Sequence, residues 1–172
     1  MEMEPELKNY QKLVFENLDK CQDIDLLIIK GQIIIEHHLN RFIVASVNNP
    51  NEYNDTKFSF AQKIQLSKML GLSIEVIEEL TIINKLRNQI AHRLTYHEDQ
   101  LDTLISRISN YYPSLIKNKS KFIALKSGLA FLCGALYAAV AINRPDFLKI
   151  LDNELEQLPE EEEDNGINEM ET

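Results

Sequence analysis

From Ile24 to Val47 the chain runs without a proline and without any cluster of turn residues. By residue type, Leu26-Leu27-Ile28-Ile29 and Ile33-Ile34-Ile35 favour strand. A strand of that length lies far outside the ordinary range of about 3–10 residues. Nothing between the isoleucines and His37-His38-Leu39-Asn40-Arg41-Phe42-Ile43 turns the chain back. One long helix is the solution that remains, capped by Asp23 or Asp25 and running to about Val47. With five glycines and five prolines in the whole chain there is little material for a turn-rich β architecture. The expected fold is all-α, a single up-and-down helical bundle.

Punctuation along the rest of the sequence divides it into further helices. Leu7, Tyr10, Val14, Leu18 and Cys21 fall at helical spacing after Pro5, predicting a first helix to about Lys20. Asn48-Asn49-Pro50-Asn51-Glu52-Tyr53-Asn54-Asp55 is a loop. Ser59 caps a short helix that Gly71 ends, and Ser73 caps the next, with Glu75 near the positive end of its dipole. A further helix spans about Glu98 to Tyr112 and stops at Pro113. The Tyr111-Tyr112 pair reads as a packed helix end. A connector bearing Lys117, Lys119 and Lys121 leads into a strongly apolar helix, about Ser120 to Asn143. Its uncharged run from Ser127 is shorter than the ~20 residues a bilayer span needs, so a closely packed core helix is expected and no membrane. Pro145 and Asp146 open a last short helix.

The formal charge of −9 is unevenly placed. All 18 lysines and arginines precede Asp152, against 17 acidic residues in the same stretch, so the body carries about +1. Residues 1–151 therefore form the expected helical domain. Residues 152–172, with Glu160-Glu161-Glu162-Glu163-Asp164, form an acidic tail too poor in apolar residues to fold alone. It serves as a solubilising extension, or as an arm that shields basic groups of the body from nucleic acid. Cys21 and Cys133 are far apart and inside expected helices, which suits buried free thiols. The acidic opening Met1-Glu2-Met3-Glu4-Pro5-Glu6 is unlike a secretory leader, so a cytoplasmic location is expected.

The chemistry concentrates in Lys85-Leu86-Arg87-Asn88-Gln89-Ile90-Ala91-His92. With a helix starting near Ser73 and advancing about 100° per residue, Val76, Leu80, Ile83, Ile90 and Leu94 share an apolar meridian. Arg87 falls about 20° from Val76 on that line, with Asn84 beside it, and Asn88 and His92 further round. Desolvating an unpaired guanidinium costs several kcal/mol. Arg87 must then pair inside a buried network, or line a cleft or subunit interface.

The arginine, polar residue, three further residues and histidine of Arg87–His92 resemble the signature of HEPN domains. The order and spacing of Lys30-Gly31-Gln32-Ile33-Ile34-Ile35-Glu36, Leu39, Phe42, Phe60-Ala61-Gln62-Lys63-Ile64 and Leu70-Gly71 are similar to the branch around the mannitol-operon repressor and related bacterial domains. The resemblance covers roughly Leu26 to Leu101. It implies a bundle of four or five helices that forms a homodimer and, in catalytic members, cleaves RNA without a metal at the dimer cleft. Such members act as toxins or in antiviral and stress defence, and the repressor branch implies a regulatory role instead. Carried over by motif, Arg87 and His92 are the catalytic pair, Asn88 the polar residue beside the arginine, and Glu36 an acid that orients the arginine. An RNA substrate and an antitoxin or regulatory protein partner follow from the same resemblance.

The residue types suit that chemistry. A histidine ionises near neutrality and can move the 2′-hydroxyl proton, and an arginine offers a fixed cationic fork to the phosphorane oxygens. Asn88 and His92 stand four apart, so an amide could orient the imidazole or a phosphate. Arg93, Lys117, Lys119 and Lys121 are the candidate RNA contacts, with Lys126 and Arg107 the other cations within reach. The structural alternative is an Arg87–Glu36 pair that fixes helix register or a dimer contact, with His92 as a helix terminus favoured by the dipole. Of the adjacent His37 and His38 only one can face inward. Neither has a histidine or cysteine three or four residues away, so no metal site and no cofactor are expected. His97 is expected at the start of the following helix.

Overall fold

The computed structural model describes residues 12–111 and 113–143. The described residues are helical with no strand, as the all-α expectation requires. A π-helical turn over Lys12–Glu16 runs into a short α1, Asn17–Asp19. The long helix is α2, Ile24–Ser46, followed by 3-10 turns at Pro50–Glu52 and Asp55–Lys57. Then come α3, Phe60–Met69, α4, Ile74–Arg93, and α5, Glu98–Tyr111. A one-turn α6, Pro113–Ile116, and the apolar α7, Lys121–Asn143, complete the order. The expected helix after Pro145, the 151/152 domain boundary and the acidic tail lie outside the described residues.

Local chemistry sets each boundary. The Asp23 carboxylate accepts from Leu26 N at 2.7 Å and starts α2. A reciprocal capping box between Ser59 and Gln62 starts α3. Gly71, at φ +93°, supplies the left-handed residue that turns α3 into α4, which Ser73 then caps. The carbonyl of His97 accepts from Gln100 N and Leu101 N, so His97 does sit at the mouth of α5.

Pair contacts fix the helix directions. Gly31 of α2 faces Leu129 of α7, and Asn143 at the end of α7 donates to Ser46 at the end of α2, 3.2 Å away. The two long helices are therefore parallel neighbours. They approach closely because Gly31 has no side chain: a Cβ there would lie 2.6 Å from Leu129 Cδ1. Helices α4 and α5 form an antiparallel hairpin, since Arg107 meets Glu78 and Glu79 while Gln89 meets Gln100. Lys121 sits against Glu98 and Asp102, and Gly128 against Ile108, so α5 and α7 run parallel. Strict up-and-down alternation is thus broken twice, between α5 and α7 and between α2 and α4, which run in opposite directions although α3 stands between them. The connector holding α6 carries the chain back to the end of the bundle where α5 began.

The core is built from Leu27, Ile35, Leu39, Phe42 and Ile43 of α2 with Leu80, Ile83 and Leu86 of α4. Leu101 and Leu104 of α5 and Leu125, Leu132 and Leu136 of α7 close it. By length and composition α7 is the described helix able to cross a bilayer, and half of it is buried within the bundle. Cys21 and Cys133 are both buried free thiols. Tyr111, expected as a packed helix end, is 51% exposed instead.

Candidate functional site

Helix α4 carries the motif, and its packing changes how the motif is presented. Its buried residues are Ile77, Glu79, Leu80, Ile83, Leu86 and Ile90. Val76 is only half-buried, Leu94 is 88% exposed, and Arg87 is exposed. Arg87 is therefore not the core-facing charge that the meridian predicted. The cause is unequal cover along α4. Helix α3 has 10 residues against 20 in α4 and is joined to its first turn, so it can flank only the N-terminal half. Beyond that half Asn84 is half-buried, Arg87 and Asn88 are exposed, and the buried arc shifts round to Leu86 and Ile90.

Within the motif, Arg87 donates through a terminal guanidinium nitrogen to Asn88 Oδ1 at 3.3 Å. The Asn88 amide nitrogen in turn faces Asn84 Oδ1 at 3.5 Å. Both ends of that amide thus point toward the N-terminal side, and His92 receives neither. His92 and Arg93 are exposed on the last turn, where imidazolium and guanidinium charges suit the negative end of the helix dipole. Arg87 and His92 are five positions apart, so they diverge by roughly 140° and about 7.5 Å along the axis. One chain does not focus them on a single phosphate.

Gln89, a spacer in the motif, has a structural task. Its Oε1 accepts from His97 N at 2.9 Å and its Nε2 donates to Gln100 at 3.2 Å. The amide ties down the turn that follows His92 and Arg93. Leu94 closes the helix in the left-handed region at φ +56°, an unusual conformation for a leucine.

Glu36 does not orient Arg87. It accepts from Lys63 Nζ at 2.6 Å and from Gln32 Nε2 at 2.7 Å. Lys63 is 3% exposed, so a carboxylate had to lie within reach of it, and Glu36 is that group. The sequence carried a signal for this pair. Phe60, Lys63, Ile64 and Ser67 stand at the core spacing of α3, which puts a lysine on a buried face.

The other expected cations divide into two groups. Lys121 bridges Glu98 and Asp102 at 2.7 Å each, and these carboxylates hold its ammonium well above the usual range. Arg107 is gripped by Glu78 and by the buried Glu79, and Lys126 by Asp19 at 2.6 Å. Lys121 is thus a fold residue rather than a ready phosphate contact, and so are Lys126 and Arg107. Lys117 and Lys119 are exposed and without an ion pair among the described residues. The Lys121–Glu98 bridge brings their connector to the end of the bundle where α4 finishes with His92 and Arg93.

His38 is the inward member of the histidine pair at 1% exposure, and His37 is the outward one. Burial, with the nearby His37 and Arg41, pushes His38 down to about 3, so its imidazole is neutral at any ordinary pH. A depression of about 320 Å³ lies along α2, lined by Asn17, Lys30, Ile33, Ile34 and His37. It holds none of the motif residues. No family model, curated protein or solved structure matches the chain.

Proposed function

We propose that this chain is a HEPN-type, metal-independent endoribonuclease that works as a homodimer in a toxin or defence setting. The observation that carries the reading is which cations the fold leaves open. Lys63, Arg107, Lys121 and Lys126 are each held by a carboxylate, whereas Arg87 rests on the neutral Asn88 amide and stays exposed. A guanidinium kept from internal carboxylates is ready for a phosphate.

His92 would take the proton from a ribose 2′-hydroxyl as its oxygen attacks phosphorus. Arg87 would stabilise the charge on the non-bridging oxygens. The bond from phosphorus to the 5′-oxygen then breaks, leaving a 2′,3′-cyclic phosphate, and a second histidine returns a proton to the departing oxygen. The divergence of Arg87 and His92 on one helix favours a two-fold arrangement, in which a second copy supplies that histidine. Arg93, Lys117 and Lys119 lie at the correct end to follow the RNA backbone.

The test is cleavage of total RNA by the purified chain in EDTA, alongside Arg87→Ala and His92→Ala. Each substitution is expected to reduce cleavage by about 100-fold or more, the ordinary scale for losing general acid–base or electrostatic catalysis. Equal, negligible cleavage by all three overturns the nuclease reading. One observation favours a second reading, a regulatory or protein-interaction domain like the mannitol-repressor branch. Leu94, exposed and left-handed beside the motif, is an apolar contact waiting for a protein surface. In that case Leu94→Asp abolishes partner capture while Arg87→Ala leaves RNA untouched.

A further inference from the structure

The depression along α2 lies apart from the motif and has the dimensions of a small-molecule site. Lys30, Ile33, Ile34 and His37 fall at i, i+3, i+4 and i+7, so they form one stripe of the helix about 10 Å long. Asn17 of α1 adds to the lining. The volume of about 320 Å³ is at the lower end of the roughly 300–1,000 Å³ that ligand pockets occupy. Ile34 is buried, while Ile33 keeps 60% of its surface open to whatever enters. An isoleucine left that bare beside a concavity is apolar surface that a ligand can cover.

The charge in this lining is Lys30, which is half-buried. Other cations buried to that degree or deeper are engaged within the fold. Glu36 holds Lys63, Asp19 holds Lys126, Glu78 and Glu79 hold Arg107, and Arg41 has contacts of its own. Lys30 meets no carboxylate among the described residues. The group that feels its charge is the Cys21 thiol, which burial nonetheless pushes up, so it stays uncharged at neutral pH. An ammonium that has lost part of its hydration and gained no counter-ion is a place for an anion.

We propose that this depression binds a medium-chain aliphatic carboxylate, with its head on the Lys30 ammonium and its chain along Ile33 and Ile34. Size fits. At ~30 Å³ for each water-sized group, 320 Å³ holds about ten non-hydrogen atoms, which is a carboxylate of about eight carbons. Charge fits as well, because a single open ammonium balances a monoanion and leaves a phosphate dianion half-compensated. The direction follows from the two ends of the stripe. Burial and the nearby Arg41 hold His37 below the usual histidine range, so its imidazole is uncharged at neutral pH. Lys30 is then the end that takes the head, and His37 closes the end that takes the chain. The inference uses neither Arg87 nor His92 and stands independently of the nuclease reading.

Isothermal titration calorimetry of the full chain with octanoate tests it. Saturable one-to-one binding is expected, with a Kd below ~1 mM. Hexanoate, which buries two fewer methylenes, should bind about tenfold more weakly. Octylammonium, with the same chain and the opposite charge, should not bind. Lys30→Met keeps the apolar stem and removes the charge, and should weaken octanoate about tenfold. Lys85→Met, at an exposed lysine of α4, should leave the affinity unchanged. Ile33→Asp alters an exposed position that the core does not need, and sets a carboxylate one turn from Lys30. It should abolish octanoate binding while the circular dichroism stays helical. No saturable binding, octylammonium bound as well as octanoate, or full affinity in Lys30→Met overturns the proposal.

Discussion

Acid should weaken this fold most through His38, with its neighbour His37, which burial and Arg41 also push down, acting in the same direction. The His38 ring is 1% exposed in the middle of α2, where burial first, and then His37 and Arg41, hold its ionisation down to about 3. In the unfolded chain a histidine titrates near 6.5. Below that value the unfolded chain binds a proton that the folded chain refuses, so stability is full above about pH 6.5 and falls as the pH drops toward 3. The slope approaches 1.4 kcal/mol per pH unit, which amounts to about 2 kcal/mol at pH 5 and at most about 5 kcal/mol over the whole window. Against an ordinary domain stability of roughly 5–15 kcal/mol, the loss at pH 5 is easy to measure. Urea melts at pH 7, 6 and 5 should show the midpoint falling, with circular dichroism as the signal. His38→Gln, which keeps hydrogen-bonding groups but cannot titrate, isolates the effect. Glu79, whose carboxyl burial pushes upward, acts with the opposite sign in both proteins and cancels in the comparison. The difference between wild type and His38→Gln should change by about 2 kcal/mol between pH 7 and pH 5. Parallel pH dependence in the two would refute the reasoning.

Three further outcomes follow from the ion pairs. Lys63→Met strands Glu36 with Gln32 alone and should destabilise the fold by about 2 kcal/mol. Adding Glu36→Gln should restore part of that loss in chemical melts, and no recovery would mean that Lys63 matters only through its packing. Arg107→Met leaves Glu79 buried without its cation, with a cost of about 2–3 kcal/mol at pH 7 that shrinks as the carboxyl protonates in mild acid. A pH-independent loss would count against the pairing. For RNA, charge reversal at Lys117 and Lys119 together should lower affinity and flatten its salt dependence by about two counterions. Lys121→Ala should leave the salt slope unchanged, because that lysine already belongs to Glu98 and Asp102. The reverse pattern in a binding titration would return Lys121 to the interface.

The long helix, the Ser59 and Ser73 starts and the Gly71 turn were all legible in the sequence, and the cap of the long helix was narrowed to Asp23 or Asp25. Each depends on residues within a few positions of one another, and such signals survive without a tertiary context. The inward choice within His37-His38 needed packing to settle, although the sequence limited it to one. The site was less legible. Apolar spacing located α4 correctly but gave one straight meridian, whereas the helix has different neighbours along its length. Where α3 ends, Leu86 turns inward and Arg87 turns out. Glu36 and Arg87 share a motif by order alone, and the carboxylate went to Lys63 because a buried ammonium makes the stronger demand.

By itself, then, the sequence determined that this is a helical chain, where most helices start and stop, and that Arg87, Asn88 and His92 ride on the end of one of them. Those are properties of local geometry and periodicity. Only the tertiary structure decided that α2 and α7 run side by side in the same direction, and which cations are spent within the fold. Only there does Arg87 emerge facing solvent. Such matters depend on which charges meet across residues far apart in the chain, and on how far each neighbouring helix extends.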